Sequence, residues 1–321
     1  MRIFSNPVGA GSLWFDNLAT ADGNPVGYDP QARAFVAIPP FCANRETIGC
    51  NWIAPQPGAF CRSCAMTALA PDTSIPNAMP NWAQTEAAKR WVLDNLGRWH
   101  WFRPEDPGTR PVFNMLAEGP TPVAMGHANG VVTISVAEAD PVLRMTRREA
   151  LQEPYRTMIG HMRHEIAHML WWRLSLRADF LEAFRAVFGD EREDYPAALR
   201  RHYSNGPPPD WRARFVTTYA SAHPHEDWAE TAAHLLHLAD ICDSLSAAGH
   251  SAPGLPVAGW DAYAEPDADH LIRVAISLVM GINHVNRSMG LPDIYPFVLS
   301  DVARQKLAFV HGWLRRGAQA R

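Results

Sequence analysis

Arg163-His-Glu-Ile-Ala-His-Met169 is the stretch on which the fold turns. It holds an H-E-x-x-H motif, made by His164, Glu165 and His168, inside an apolar, helix-favouring run. Residues four apart on a helix share a face, with Cβ atoms about 5–6 Å apart. Two imidazoles so placed can each give one nitrogen to a single Zn²⁺. Glu165 projects beside them, where a carboxylate can take a proton from an activated water. In a chain with 14 histidines such a motif can arise by accident, so its context decides. Around it Met158, Ile159, Met162, Ile166, Met169, Leu170 and Leu174 recur at helical spacing. Pro154 suits the first turn of a helix over 154–175. A buried helix carrying two histidines and a glutamate needs partners for them. A metal supplies those partners; satisfied core histidines are the alternative.

A catalytic zinc takes three protein ligands and keeps a fourth position for water. Trp171 and Leu174 stand where the longer H-E-x-x-H-x-x-G-x-x-H pattern has glycine and a third histidine, so the third ligand lies elsewhere. In His223-Pro-His-Glu-Asp-Trp-Ala-Glu230, Glu226 and Glu230 are four apart at the start of a second helical stretch. This E-x-x-x-E resembles the third-ligand helix of gluzincin metallopeptidases such as thermolysin and anthrax lethal factor. The resemblance implies that Glu226 binds zinc and that Glu230 fixes the tautomer of a ligand histidine. On the residues alone, Glu226 and Asp227 also suit a helix N-terminus through its dipole. His223, His225, His234 and His237 are rival ligands. Lethal factor is similar in a further respect, a tyrosine seven residues before its ligand glutamate. That likeness implies Tyr219 as donor to the oxyanion, with His223 as the rival donor.

The likeness extends along the chain. Cys42-Ala-Asn-Arg45, Gly49-Cys-Asn-Trp52, Cys61-Arg-Ser-Cys64, Gly126-His-Ala-Asn-Gly130 and Glu138-Ala-Asp140 carry it in the first half. Glu153-Pro-Tyr-Arg-Thr157, Gly160-His-Met-Arg-His-Glu-Ile-Ala-His168, Phe188-Gly-Asp-Glu-Arg192, Asp194-Tyr195, His202-Tyr203 and the segment from Tyr219 to Glu230 continue it. With these the chain resembles a bacterial family of zinc-binding metallopeptidases that have an N-terminal zinc-ribbon-like segment. The resemblance implies a peptidase without supplying a substrate. Many members carry further cysteine pairs ahead of Cys42. This chain has Phe4-Ser-Asn-Pro-Val-Gly-Ala10 and Ala21-Asp-Gly-Asn-Pro25 there, so a first zinc module is expected to be lost.

Four of the five cysteines, Cys42, Cys50, Cys61 and Cys64, form a C-x7-C-x10-C-x2-C cluster in a Pro/Gly-rich segment. Four thiolates held tetrahedrally make a closed structural zinc site; two disulfides are the rival reading. No apolar leader precedes them, which favours a reducing compartment and zinc. Cys242 lies in the apolar stretch 235–245 and reads as a small buried hydrophobe.

A net charge of −4 and a pI near 6.4 give no electrostatic footprint for nucleic acid. No stretch approaches the roughly 20 apolar residues of a membrane span. Helices are expected over 85–96, 154–175, 177–187, 192–203, 225–245, 268–287 and 298–315, and strands over 111–116 and 130–137. The first helix should bury Ala87, Ala88, Trp91, Val92 and Leu96. Zincins pair an edge strand before the active helix with the extended substrate; by that analogy 130–137 is the candidate, an interior strand the alternative. His127 and Asn129 stand to line the cleft or to cap a turn. Tyr195, His202 and Tyr203 are further residues that could approach it.

The expected fold is α+β: a zincin-like metalloprotease domain over 76–321, mainly helical with a short sheet, after a small zinc-ribbon-like module over 1–75 that carries the four cysteines. The expected function is a cytoplasmic zinc metallopeptidase acting on a peptide or protein. Zn²⁺ is expected twice, once at His164, His168 and Glu226 and once at the four cysteines, with Glu165 as general base. An isopeptidase or other amide hydrolase, and a catalytically silent zincin scaffold that only binds, are the alternatives. Neither nucleic acid nor membrane is an expected partner, and the sequence leaves the oligomeric state open.

Overall fold

The chain opens with two antiparallel hairpins too short to stand alone. The first pairs β1 (Phe4–Ser5) with β2 (Ser12–Leu13), the second β3 (Val26–Asp29) with β4 (Ala34–Ala37). Aromatic side chains hold them. Phe4, Tyr28 and Phe35 meet edge to face with centroids 5.2–5.5 Å apart, and Phe15 joins Tyr28 at 5.0 Å. Gly27 in β3 is required by space: a Cβ there would lie 2.6 Å from Pro39 and 2.8 Å from Ile53. A one-turn helix α1 (Arg45–Ile48) ends on left-handed Gly49, which turns the chain into Cys50. The computed structural model describes residues 1–120, 122–150, 157–250 and 259–317. Pro154 therefore lies outside the described residues.

After β5 (Thr67–Leu69) comes α2 (Ala78–Gly97), which starts earlier than the expected 85. Pro80 falls in its first turn, where a missing N–H costs nothing. Its buried side departs from the expected one. Val92 and Leu96 are buried, but Ala87, Ala88 and Trp91 are only half-buried. Glu86 and Lys89 are fully buried instead, paired at 2.8 Å, with the Thr67 hydroxyl donating to Glu86 at 2.6 Å. Apolar periodicity cannot reveal a polar stripe that satisfies itself. Tyr28 donates to buried Asp94 of α2 at 2.8 Å, tying the hairpins to this helix.

β6 (Val112–Leu116), β7 (Gly126–Ala128) and β8 (Val131–Ser135) complete a four-stranded sheet of order β5-β6-β8-β7. β8 pairs parallel with β6 and antiparallel with β7. It is an interior strand, with Val132 and Ile134 fully buried. This corrects the reading of 130–137 as a substrate-pairing edge: both its sides are already hydrogen-bonded. The edge strands are β5 and β7. The β7–β8 turn is Asn129-Gly130, both with positive φ (49° and 86°), the hairpin pair with matching twist. α3 (Pro141–Ala150) is not among the expected helices, though its start carries a legible signal. Asp140 accepts from Val142 and Leu143 N–H at 2.9 and 3.0 Å, and proline follows it.

Among the described residues, seven helices follow: α4 (Met158–Leu174), α5 (Ala178–Phe188), α6 (Tyr195–Asn205), α7 (Trp211–Arg214), α8 (Pro224–Ala247), α9 (Ala268–Ser288) and α10 (Asp301–Arg315). All but one-turn α7 match expected helices to within a few residues. Phe180, Phe184 and Phe188, one turn apart on α5, pack with Trp228 of α8 and with Phe309 and Trp313 of α10. Architecturally the chain is α+β, helix-rich with one small sheet. It divides into two compact units, one built on Met1–Met162, the other on Arg163–Ser246 with the described residues beyond 258.

Candidate metal centre

α4 places His164 and His168 one turn apart on one face, their rings edge to face at 4.8 Å. α8 begins at Pro224, and the His223 side chain caps it by accepting from His225 N–H at 3.1 Å. Glu226 and Glu230 then fall on successive turns of α8. Trp228 fixes α8 against α4 by donating its indole N–H to Ala167 O at 2.9 Å. Arg163 adds a buried ion pair to Asp240 at 2.6 Å.

Three ligand atoms converge. His164 Nε2 lies 3.1 Å from Glu226 Oε2 and 3.2 Å from His168 Nε2, and His168 Nε2 lies 3.5 Å from Glu226 Oε2. With zinc bonds of about 2.0–2.1 Å, the edges of a tetrahedron are about 3.3–3.4 Å. The three atoms thus span one face of a tetrahedron of the right size. Glu230 Oε1 accepts from His164 Nδ1 at 2.7 Å, which frees Nε2 to act as a ligand. Thr217 donates to Glu230 Oε2 at 2.8 Å and so holds the holder. The electrostatics agree. Burial works against a charged His164, yet hydrogen bonds with Glu226 and Glu230 raise its pKa well above the ordinary value. Burial likewise works against ionised Glu226, and the two histidines nonetheless hold its pKa well below the usual range. His164, His168 and Glu226 form a compact group whose ligand atoms could hold a divalent metal. Glu165 is buried, and its Oε2 has no hydrogen-bond partner among the described residues.

The four cysteines converge as well. Cys50 Sγ is 3.6 Å from both Cys61 Sγ and Cys64 Sγ, too far for a disulfide. Zinc–sulfur bonds of about 2.3 Å give tetrahedral edges of about 3.8 Å, close to that spacing. Backbone N–H groups point at the sulfurs: Cys61 N donates to Cys42 Sγ at 3.2 Å and Cys64 N to Cys61 Sγ at 3.4 Å. All five cysteines are free thiols and buried. Both clusters have the composition and compactness of metal sites.

Residues 78–313 match the family model described as "Putative zinc-binding metallo-peptidase". The chain belongs to that family. Two uncharacterized proteins of Mycobacterium tuberculosis and one of Mycobacterium bovis are each 37% identical to it over 323 residues, 97% of this chain and 94% of theirs. No solved structure matches. The matched stretch contains the whole His–Glu cluster of this zinc-binding metallopeptidase family member; the cysteine cluster precedes it.

The remaining residues singled out in the sequence sort by their contacts. Tyr219 begins a 3₁₀ turn and lies with its ring 6.0 Å from that of His164. His223 spends both ring nitrogens locally, accepting from His225 N–H and donating to Glu193 O at 3.1 Å. It caps α8. His127 accepts from Gly130 N–H at 3.0 Å and Asn129 is left-handed, so both serve the β7–β8 turn. Of the other rival ligands, His234 bonds Tyr295 at 2.7 Å and His237 bonds Arg163. Tyr195 is the residue that sequence reasoning undervalues. Its hydroxyl donates to Glu226 Oε1 at 2.6 Å. Asp194-Tyr195-Pro196 carries the local signal, an N-cap with proline behind it.

Proposed function

We propose that this chain is a zinc-dependent peptidase of zincin-like architecture, with a gluzincin-like ligand set of His164, His168 and Glu226. The convergence of those three ligand atoms, with Glu165 next in sequence to His164 and its buried Oε2 unpartnered among the described residues, carries the reading. Zn²⁺ held there would lower the pKa of its water toward about 7 and polarise the scissile carbonyl. Glu165 is the general base: its free oxygen takes the water's proton and passes it to the leaving nitrogen. Glu230 holds His164 in the ligand tautomer. Tyr219 donates to the oxyanion as the carbonyl is attacked. The second Zn²⁺ is structural, held by Cys42, Cys50, Cys61 and Cys64. In functional terms, residues 1–75 serve as the cysteine-bound module and 76–321 as the hydrolase. Paired thiols kept for metal suit a reducing compartment, so we place the protein in the cytoplasm.

Glu165→Gln tests the reading. It keeps the ligands and removes the base, so the variant should retain two zinc ions and its fold while losing nearly all hydrolysis. Substrates that co-purify with this trap, identified by mass spectrometry, would define the bond cleaved. Hydrolysis at the wild-type rate by Glu165→Gln would sink the mechanism.

A further inference from the structure

Glu226 divides its two oxygens between two tasks. Oε2 faces both imidazoles, whereas Oε1 is turned away and receives the Tyr195 hydroxyl at 2.6 Å. The carboxylate is 1% exposed, so Oε1 has little water to turn to. Without Tyr195 it would be left as a buried acceptor with no partner, a costly state. The carboxylate could escape by rotating both oxygens toward the imidazoles, taking up the fourth position that a catalytic metal reserves for water.

Tyr195 is not placed by chance of packing. It is the first residue of α6, which Asp194 caps by accepting from Ala197 N–H at 2.9 Å, with Pro196 fixing the turn. His223, the cap of α8, reaches back to Glu193 O and packs its ring edge-on against Tyr195 at 5.0 Å. One residue therefore pegs the start of α6 to the start of the helix that carries Glu226. Tyr195 has a single proton and gives it to Glu226.

We propose that Tyr195 is a positioning residue of the metal centre, holding Glu226 to one-oxygen coordination and so keeping the water position open. It acts through Glu226, leaving donation to the oxyanion to Tyr219. The inference rests on the metal-centre reading above.

The test compares full-length wild type, Tyr195→Phe, Tyr219→Phe and His164→Ala. Zinc affinity is measured by chelator competition, and the visible absorption of the Co²⁺-loaded proteins reports coordination. Tyr195→Phe should weaken the His/Glu site by about 10–100-fold, the usual scale for groups that orient a ligand. Its Co²⁺ absorption should weaken as the coordination number rises. Tyr219→Phe, an equally conservative deletion of a nearby hydroxyl, should leave affinity and spectrum unchanged. Wild-type affinity and spectrum in Tyr195→Phe, or equal losses in both tyrosine variants, would overturn the inference. If His164→Ala still binds two zinc ions with wild-type affinity, the metal-centre reading itself fails, and this inference with it.

Discussion

Two glutamates one turn apart hold one imidazole from two sides, and their roles separate by atom. Glu226 faces the ligand nitrogens, whereas Glu230 faces His164 Nδ1. Glu226→Ala should therefore abolish zinc binding at this site, while Glu230→Ala should lower affinity or activity by about 10–100-fold. Isothermal titration with zinc separates the two, and the reverse ranking would exchange the roles. Tyr219→Phe should lower kcat by about 10²–10³, with KM and zinc content little changed, since one oxyanion donor is worth that much. Steady-state kinetics on the substrate trapped by Glu165→Gln checks this. The residues on α4 and α8 are legible in the sequence because their spacing is local: i and i+4 share a face whatever the rest of the chain does. Tyr195 is legible only as one of three residues that could approach the cleft, because it meets Glu226 across 31 residues of sequence and no periodicity encodes that encounter.

At the scale of the element, α5, α9 and α10 follow their apolar repeat, and the surprises lie where polar groups satisfy one another or where turns decide. α2 buries a Glu86–Lys89 pair that no hydrophobic pattern announces. β7 is short and polar, and only Asn129-Gly130 marks it. α6 carries a prediction. Removing its cap by Asp194→Ala should cost about 1 kcal/mol of stability, within the usual 0.5–2. Because the first residue of this helix is Tyr195, the same change should also loosen zinc at the His/Glu site. Urea denaturation and chelator competition on one preparation measure both. Loss of stability with unaltered zinc affinity would mean that the cap serves the helix alone.

Taken whole, the molecule holds two candidate metal clusters of different chemistry, one of four cysteines and one of two histidines with a glutamate, and under the proposed two-zinc reading they should respond differently to metal withdrawal. No helix among the described residues is long and apolar enough to cross a membrane. In the native protein all five thiols are buried and should react slowly with a thiol reagent. Chelation should expose Cys42, Cys50, Cys61 and Cys64 while Cys242 stays protected, its pKa pushed up to about 12 by burial. Counting thiols against metal released distinguishes the sites: His164→Ala should lose one zinc without unmasking a thiol, and Cys61→Ser should lose the other. Thiols that stay masked in fully metal-free protein would refute a zinc role for the four cysteines.

α4 carries two of the candidate ligand residues and α8 the third, each placed by its position around a helix axis. What a descendant of this chain must inherit is therefore rotational phase rather than distance along the sequence. One extra residue between His164 and His168, or between Glu226 and Glu230, would swing everything beyond it by about 100° and point half of the pair away. Extra residues in the Gly206-Pro-Pro-Pro-Asp210 loop would leave the phase of both helices untouched. Insertions and deletions should accordingly be tolerated in that loop and excluded within the two motifs, a pattern that a library of single-residue insertions scored for zinc retention would display directly.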